Sequence, residues 1–156
     1  MKTFLMMLVL GMALLNAQLL HAQPPVAKHP VRIAVIWSGG TMGPETDELV
    51  RSKLISSLSR KCGSVCVAVE NSVDGGDTAE VDAVLTGIGR IEQRCYDCGY
   101  RMQGAVRLVA RDGTVLWSDT VYSSWLKRSV TSSFADNVTK KLVAHLAAKP
   151  LPAAGE

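Results

Sequence analysis

Apolar and polar positions alternate in short runs for most of the chain, and two stretches switch to helical spacing. Val31, Ile33, Val35 and Trp37 share one side of a β-rich run, and Ala34 and Ile36 make its other side apolar apart from Arg32. A strand apolar on both sides is expected inside a sheet, covered on each face or nearly so. Glu45 to Lys61 then repeats apolar residues at Val50, Leu54, Ile55 and Leu58, a helical period. Pro44 suits the first helical position, where a missing N–H costs nothing. Acids at Glu45, Asp47 and Glu48 and bases at Arg60 and Lys61 complement the helix dipole, and Gly63 suits a left-handed residue past the end.

Strand patterns return at 64–69 and at 81–92, with turn-forming residues at 71–77 between them. Gly87 and Gly89 on one side of the longer run predict a bulge or a close backbone approach. The clearest alternation sets Met102, Gly104, Val106 and Leu108 against Arg101, Gln103, Ala105 and Arg107. Asp112-Gly113 then predicts a hairpin into a run over 114–122. A last helix over about 131–148 carries Phe134, Val138, Leu142 and Leu146 on one stripe, with Ser133 and Asp136 as a capping pair. The order β-α-β-β-β-β-α predicts an α+β domain: a small mixed sheet of about five strands packed by two main helices.

The ends specify the compartment. Met1-Lys2, the apolar run from Phe4 to Leu15 and the small residues Ala17 and Ala22 form a secretory signal peptide over 1–22, with cleavage after Ala22 or, second, Ala17. That run is shorter than the ~20 residues a membrane span needs, so no stable membrane insertion is expected once the signal is removed. An extended lead-in over 23–30, one domain over 31–148 and a disordered tail over 149–156 follow. A periplasmic or secreted bacterial location is expected. Removing residues 1–22 deletes one lysine and no acid, which takes the net charge from +3 to +2. So mild and interspersed a charge argues against a nucleic-acid surface.

Cys62, Cys66, Cys95 and Cys98 form two local pairs, and an even count in an exported chain points first to disulfides. Cys95 and Cys98 would face each other across a tight turn; Cys62 and Cys66 bracket the passage from helix to strand. Two alternatives stay open. The four thiolates could bind one zinc ion, and the Cys-x-x-Cys could be redox-active, although such motifs normally open a helix. No metal or cofactor is assigned.

Catalytic signals are sparse, and no catalytic residue is assigned. Ser38-Gly39-Gly40-Thr41 joins a strand to a helix, as phosphate cradles do, but it lacks both phosphate-binding patterns and faces acids at the helix start. "VIWSGGTMG" resembles the nucleophile turn of bacterial-type asparaginases. Their second, His-Gly-Thr-Asp-type motif is missing, and the chain is too short for that fold. His29 and His145 have no partner in sequence. Asn137-Val138-Thr139 is a glycosylation sequon placed inside a helix. Trp125 with Lys127 and Arg128 is the aromatic–basic cluster that suggests a partner-binding site.

"VDAVLTGIG", the alternating strand, "RLVARDGTVLWSDTV" and the closing helix resemble a group of bacterial envelope domains. The group includes the periplasmic domain of the curli secretion channel, the N-terminal domain of the Tol translocation protein and lipoproteins that activate penicillin-binding proteins. Members usually carry a helix between the second and third strands, where this chain offers only about 74–80. The resemblance implies a non-enzymatic binding or assembly module, with an envelope protein or cell-wall component as partner. The alternative is a small periplasmic hydrolase, a thiol-redox enzyme or a zinc module built on the four cysteines.

Overall fold

A computed structural model of the chain describes residues 29–38, 40–41, 43–69, 81–93, 99–125 and 129–149. The expected signal peptide, most of the lead-in, nearly all of the tail, and Cys95, Cys98, Lys127 and Arg128 lie outside those residues.

Seven elements follow one another: β1 (Val31–Trp37), α1 (Pro44–Lys61), β2 (Cys66–Val69), β3 (Ala83–Gln93), β4 (Tyr100–Ala110), β5 (Val115–Trp125) and α2 (Val130–Ala148). They build the α+β architecture that the pattern predicts. One mixed sheet has the order β2-β1-β3-β4-β5. β1 runs parallel to both β2 and β3, while β3, β4 and β5 are successively antiparallel. β2 and β3 therefore point the same way but are not neighbours, because β1 lies between them.

Local signals explain the boundaries. Pro44 opens α1 after Gly43, whose φ of 81° needs a glycine. α1 ends at Lys61, and Gly63 (φ 55°) turns the chain towards β2. Asp112 accepts a hydrogen bond from the Thr114 N–H (2.9 Å), and Gly113 takes a positive φ of 87°, which completes the β4–β5 hairpin. Asp82, in the "VDAVLTG" stretch, clamps the entry to β3. Its carboxylate accepts the Arg32 N–H (2.8 Å) while its own N–H donates to the Arg32 carbonyl (2.9 Å).

Both helices pack on one face of the sheet. Ile33 and Val35 from β1, Leu85 from β3, and Val106 and Leu108 from β4 meet Val50, Leu54 and Leu58 of α1 and Phe134, Val138 and Leu142 of α2. Trp37 sits at the end of this core on a floor of glycines. A Cβ on Gly89 would come within 2.9 Å of the indole, and one on Gly104 within 3.0 Å. Gly87 and Gly89 thus serve close approach, and the bulge falls elsewhere, between Leu108 and Val109.

Two expectations are corrected. β1 is interior to the sheet, yet the described elements cover it on one face only. Its second apolar side looks outward, where Ala34 is shielded between Val69 and Val84 while Ile36 stays 47% exposed. Two helices suffice to cover one side of a five-stranded sheet, and no described element covers the other. Ser133 and Asp136 do not cap α2, which begins at Val130 after Ser129. Asp136 lies inside the helix because its carboxylate is used between the helices, accepting from Ser57 (2.6 Å) and pairing with Lys61 (3.0 Å) and Arg60 (3.4 Å).

Candidate interaction face

The uncovered side of the sheet is the largest feature left without a structural partner among the described residues. The period-two alternation of strands decides what it shows. Cross-strand register aligns Ile36, Thr86, Arg107 and Ser118 in one row, and Ile88, Ala105 and Thr120 in the next. Arg90, Gln103 and Tyr122 form a third row. Ile88 is 55% exposed and Tyr122 48%. Isolated apolar surface residues are ordinary, but a contiguous apolar patch with a polar rim marks an interaction surface.

The rim is cationic and partly self-satisfied. Arg90 reaches Glu92 (3.1 Å) and donates to Gln103 Oε1 (3.2 Å), and Gln103 Nε2 donates to the Tyr122 hydroxyl (3.4 Å). The Arg101 guanidinium lies over the Tyr122 ring, 5.0 Å from its centroid, a cation–π contact. Arg107 differs. It is exposed and has no hydrogen bond or ion pair among the described residues. It borders a shallow hollow of about 350 Å³ formed with Ile36, Ser38, Thr86, Gly87, Ile88 and Ala105. Apolar walls, two hydroxyls and one unpaired guanidinium can receive an aliphatic side chain next to a carboxylate.

A second, more polar recess of about 270 Å³ lies between the helices, lined by Lys53, Ser56, Arg60, Ser132 and Asp136. The Ser57 hydroxyl, and after it Lys61, hold the Asp136 carboxyl below the usual carboxylate range. This cluster ties α1 to α2, because Arg60 and Lys61 face Asp136 from the other helix.

The strand-to-helix turn is explained by packing. A Cβ on Gly40 would overlap the Gly89 carbonyl, so this glycine lets the turn lie directly on β3. Ser38 and Thr41 are exposed at the Trp37 end of the sheet. Phe134 touches Trp37 there, and His145 stands eleven residues further along α2, about 16 Å away along the axis. No described histidine reaches the turn.

Of the cysteine pairs, Cys62 and Cys66 are joined by a disulfide, with Cα atoms 4.8 Å apart and both residues buried. Cys66 stands level with Val31, whereas β3 continues ten residues beyond Ala83, itself level with Ile33. At ~3.3 Å per residue that places Gln93 roughly 40 Å from Cys66. Cys62 and Cys66, bonded to each other, offer no thiolate to a metal, and Cys95 and Cys98 lie outside the described residues. Trp125 ends β5 opposite Tyr100, and Lys127 and Arg128 lie beyond it, outside the described residues. The pattern pointed to that cluster and missed the open face. The signal for the face was present in the outward set Arg101, Gln103, Ala105 and Arg107 and in the two-sided apolarity of β1.

Neither a protein-family profile nor a curated protein sequence matches the chain. Solved structures do. The PelC dodecamer from Paraburkholderia phytofirmans, in a P6 crystal form, superposes with a TM-score of 0.57 at 19% identity, over 78% of this chain and 91% of that one. A methionine-substituted PelC dodecamer from the same organism, in a C2 form, gives a TM-score of 0.56 at 18% identity, over 78% and 90%. At such identities the similarity is one of fold. No described helix is long and apolar enough to cross a membrane.

Proposed function

We propose that the protein is an exported, non-enzymatic component of the bacterial envelope that acts as a binding or assembly module through the open face of its sheet. The observation that carries this reading is the hollow at Ile36, Ile88 and Ala105 beside an Arg107 with no described partner. Such a face is stable in water yet gains when a complementary surface removes it from solvent. The signal-peptide pattern supports export, and the resemblance to envelope domains supports a role in contact rather than chemistry. Superposition on subunits of a dodecamer favours assembly over the binding of a small ligand. The cluster of Trp125, Lys127 and Arg128 is a second contact region of the same module.

The test is crosslinking in the native envelope, with the wild-type chain compared with Ile88→Arg. A specific crosslinked species, either with another envelope component or between copies, is expected for the wild type and should be lost in the variant. Equal crosslinking by both chains would remove the open face from the proposal.

A further inference from the structure

The open face has a counterpart on the same molecule. α1 buries Val50, Leu54 and Leu58, and the helical period turns Glu45, Leu49 and Ser52 to the opposite side, away from the sheet. Leu49 projects at 44% exposure, and Glu45 stands exposed one turn before it. One side of the molecule therefore offers an apolar hollow beside an arginine with no partner among the described residues. The far side offers a projecting leucine beside a glutamate. The two surfaces are complementary in charge and in apolar character.

We infer that copies of this chain associate front to back, with Leu49 and Glu45 on α1 of one copy seated in the Ile36–Ile88–Arg107 hollow on the sheet of the next. The inference rests on the assembly reading given above and names the surfaces that would carry it. Strands of 4, 7, 11, 11 and 11 residues at ~3.3 Å per residue and ~4.8 Å spacing give roughly 700 Å² on the sheet face. A standard specific interface needs about 800 Å² per partner, so the face is of the right size. The two surfaces differ, which makes the contact heterologous. Repeating it closes a ring if the rotation between copies allows and grows a filament otherwise. Burying Arg107 against Glu45 favours this register over others, because a misaligned pairing leaves the guanidinium buried and unpaired.

A heterologous contact has a signature that a symmetric one lacks. Ile88→Arg spoils only the sheet face and Leu49→Arg only the helix face, and the two new arginines repel each other, so the spoiled faces cannot pair. Chains purified from the envelope should be compared by analytical ultracentrifugation and native mass spectrometry. Circular dichroism should confirm that each variant is folded, and Glu45→Arg replaces Leu49→Arg if the latter is not. Wild type is expected to form oligomers that weaken as salt is raised. Each variant alone should be monomeric at concentrations at least tenfold above those at which wild type assembles. Mixed in equal amounts, the variants should form one-to-one dimers that grow no further, since each supplies the intact face the other lacks. Oligomers of undiminished strength in both variants would overturn the contact while leaving assembly standing. Monomeric variants that stay monomeric on mixing would overturn its front-to-back form. A monomeric wild type would overturn self-association, and capture of a different envelope component would then still support the binding module.

Discussion

The indole of Trp37 meets the ring of Phe134 edge-on, with centroids 5.5 Å apart and planes at 74°. The pair joins the end of the first strand to the first turns of the last helix, and the floor beneath it is made of glycine. A Cβ on Gly104 would stand 2.6 Å from the Phe134 ring and 3.0 Å from the indole. Both rings are enclosed, so neither can retreat. Gly104→Ala is therefore expected to destabilise the fold by about 1–3 kcal/mol through overpacking. Urea denaturation of the two chains checks this. An unchanged midpoint would mean that the rings yield more easily than their burial implies.

This cluster shows how much of the fold the chain's pattern carried. Period-two alternation at 101–108, the Asp112-Gly113 turn and the Pro44 start are local signals, and each describes its own element well. The glycine floor is not local. Gly87, Gly89 and Gly104 become one surface only when β3 pairs with β4, and the reason for it is Trp37 on a third strand. The same distinction explains the site. Two-sided apolarity in β1 is a reading of one strand, and whether the second side is covered depends on how many helices the whole chain supplies. Asp136 likewise has the look of a capping residue three positions after Ser133, and its true partner, Ser57, is 79 residues away.

The Cys62–Cys66 disulfide closes a very short loop between α1 and β2, its ends 4 residues apart in sequence. Chain-entropy reasoning gives about 2 kcal/mol for a loop so short, below the ~3 kcal/mol of a 15-residue loop. Replacing both cysteines by alanine should lower stability by about that amount and leave the fold intact, as measured by denaturation with far-UV circular dichroism. Loss of all cooperative unfolding would show that the bridge holds more than the local turn.

Asp136 should shape the acid limb of the stability curve. Its folded-state pKa is depressed, by the Ser57 hydrogen bond first and the Lys61 bond next. A depressed carboxyl contributes stability that is present above its unfolded pKa of ~3.9 and is lost as pH falls through the lower folded value. Asp136→Asn removes that titration while keeping an oxygen for Ser57 to donate to. Below about pH 4 the variant should lose stability less steeply than the wild type. Asp119, held low by Lys141, keeps some slope in both chains. Identical acid limbs in thermal melts from pH 5 to pH 2 would mean that the helix–helix tie is already solvent-screened.

The last expectation separates contact from catalysis. A binding module works through surface, so its function should survive loss of any one reactive group and fail when the contact area is spoiled. Aromatic anchors often carry a large share of binding energy, so Trp125→Ala should weaken capture of a crosslinked envelope partner. Thr41→Ala should leave capture intact, because Thr41 is exposed on a turn whose glycine is explained by its packing on Gly89. Cys98→Ala should likewise leave capture intact if Cys98 serves only to close a local loop. A small hydrolase or thiol-redox enzyme predicts the reverse pattern. There, Thr41→Ala or Cys98→Ala would abolish a measurable turnover, and Trp125→Ala would be silent. Running the three variants side by side, for crosslinked capture and for turnover on amide, ester and disulfide probes, decides between the two. Capture that depends on Trp125 and not on Thr41 or Cys98 supports the module. Turnover that depends on Thr41 or Cys98, with no partner captured, refutes it.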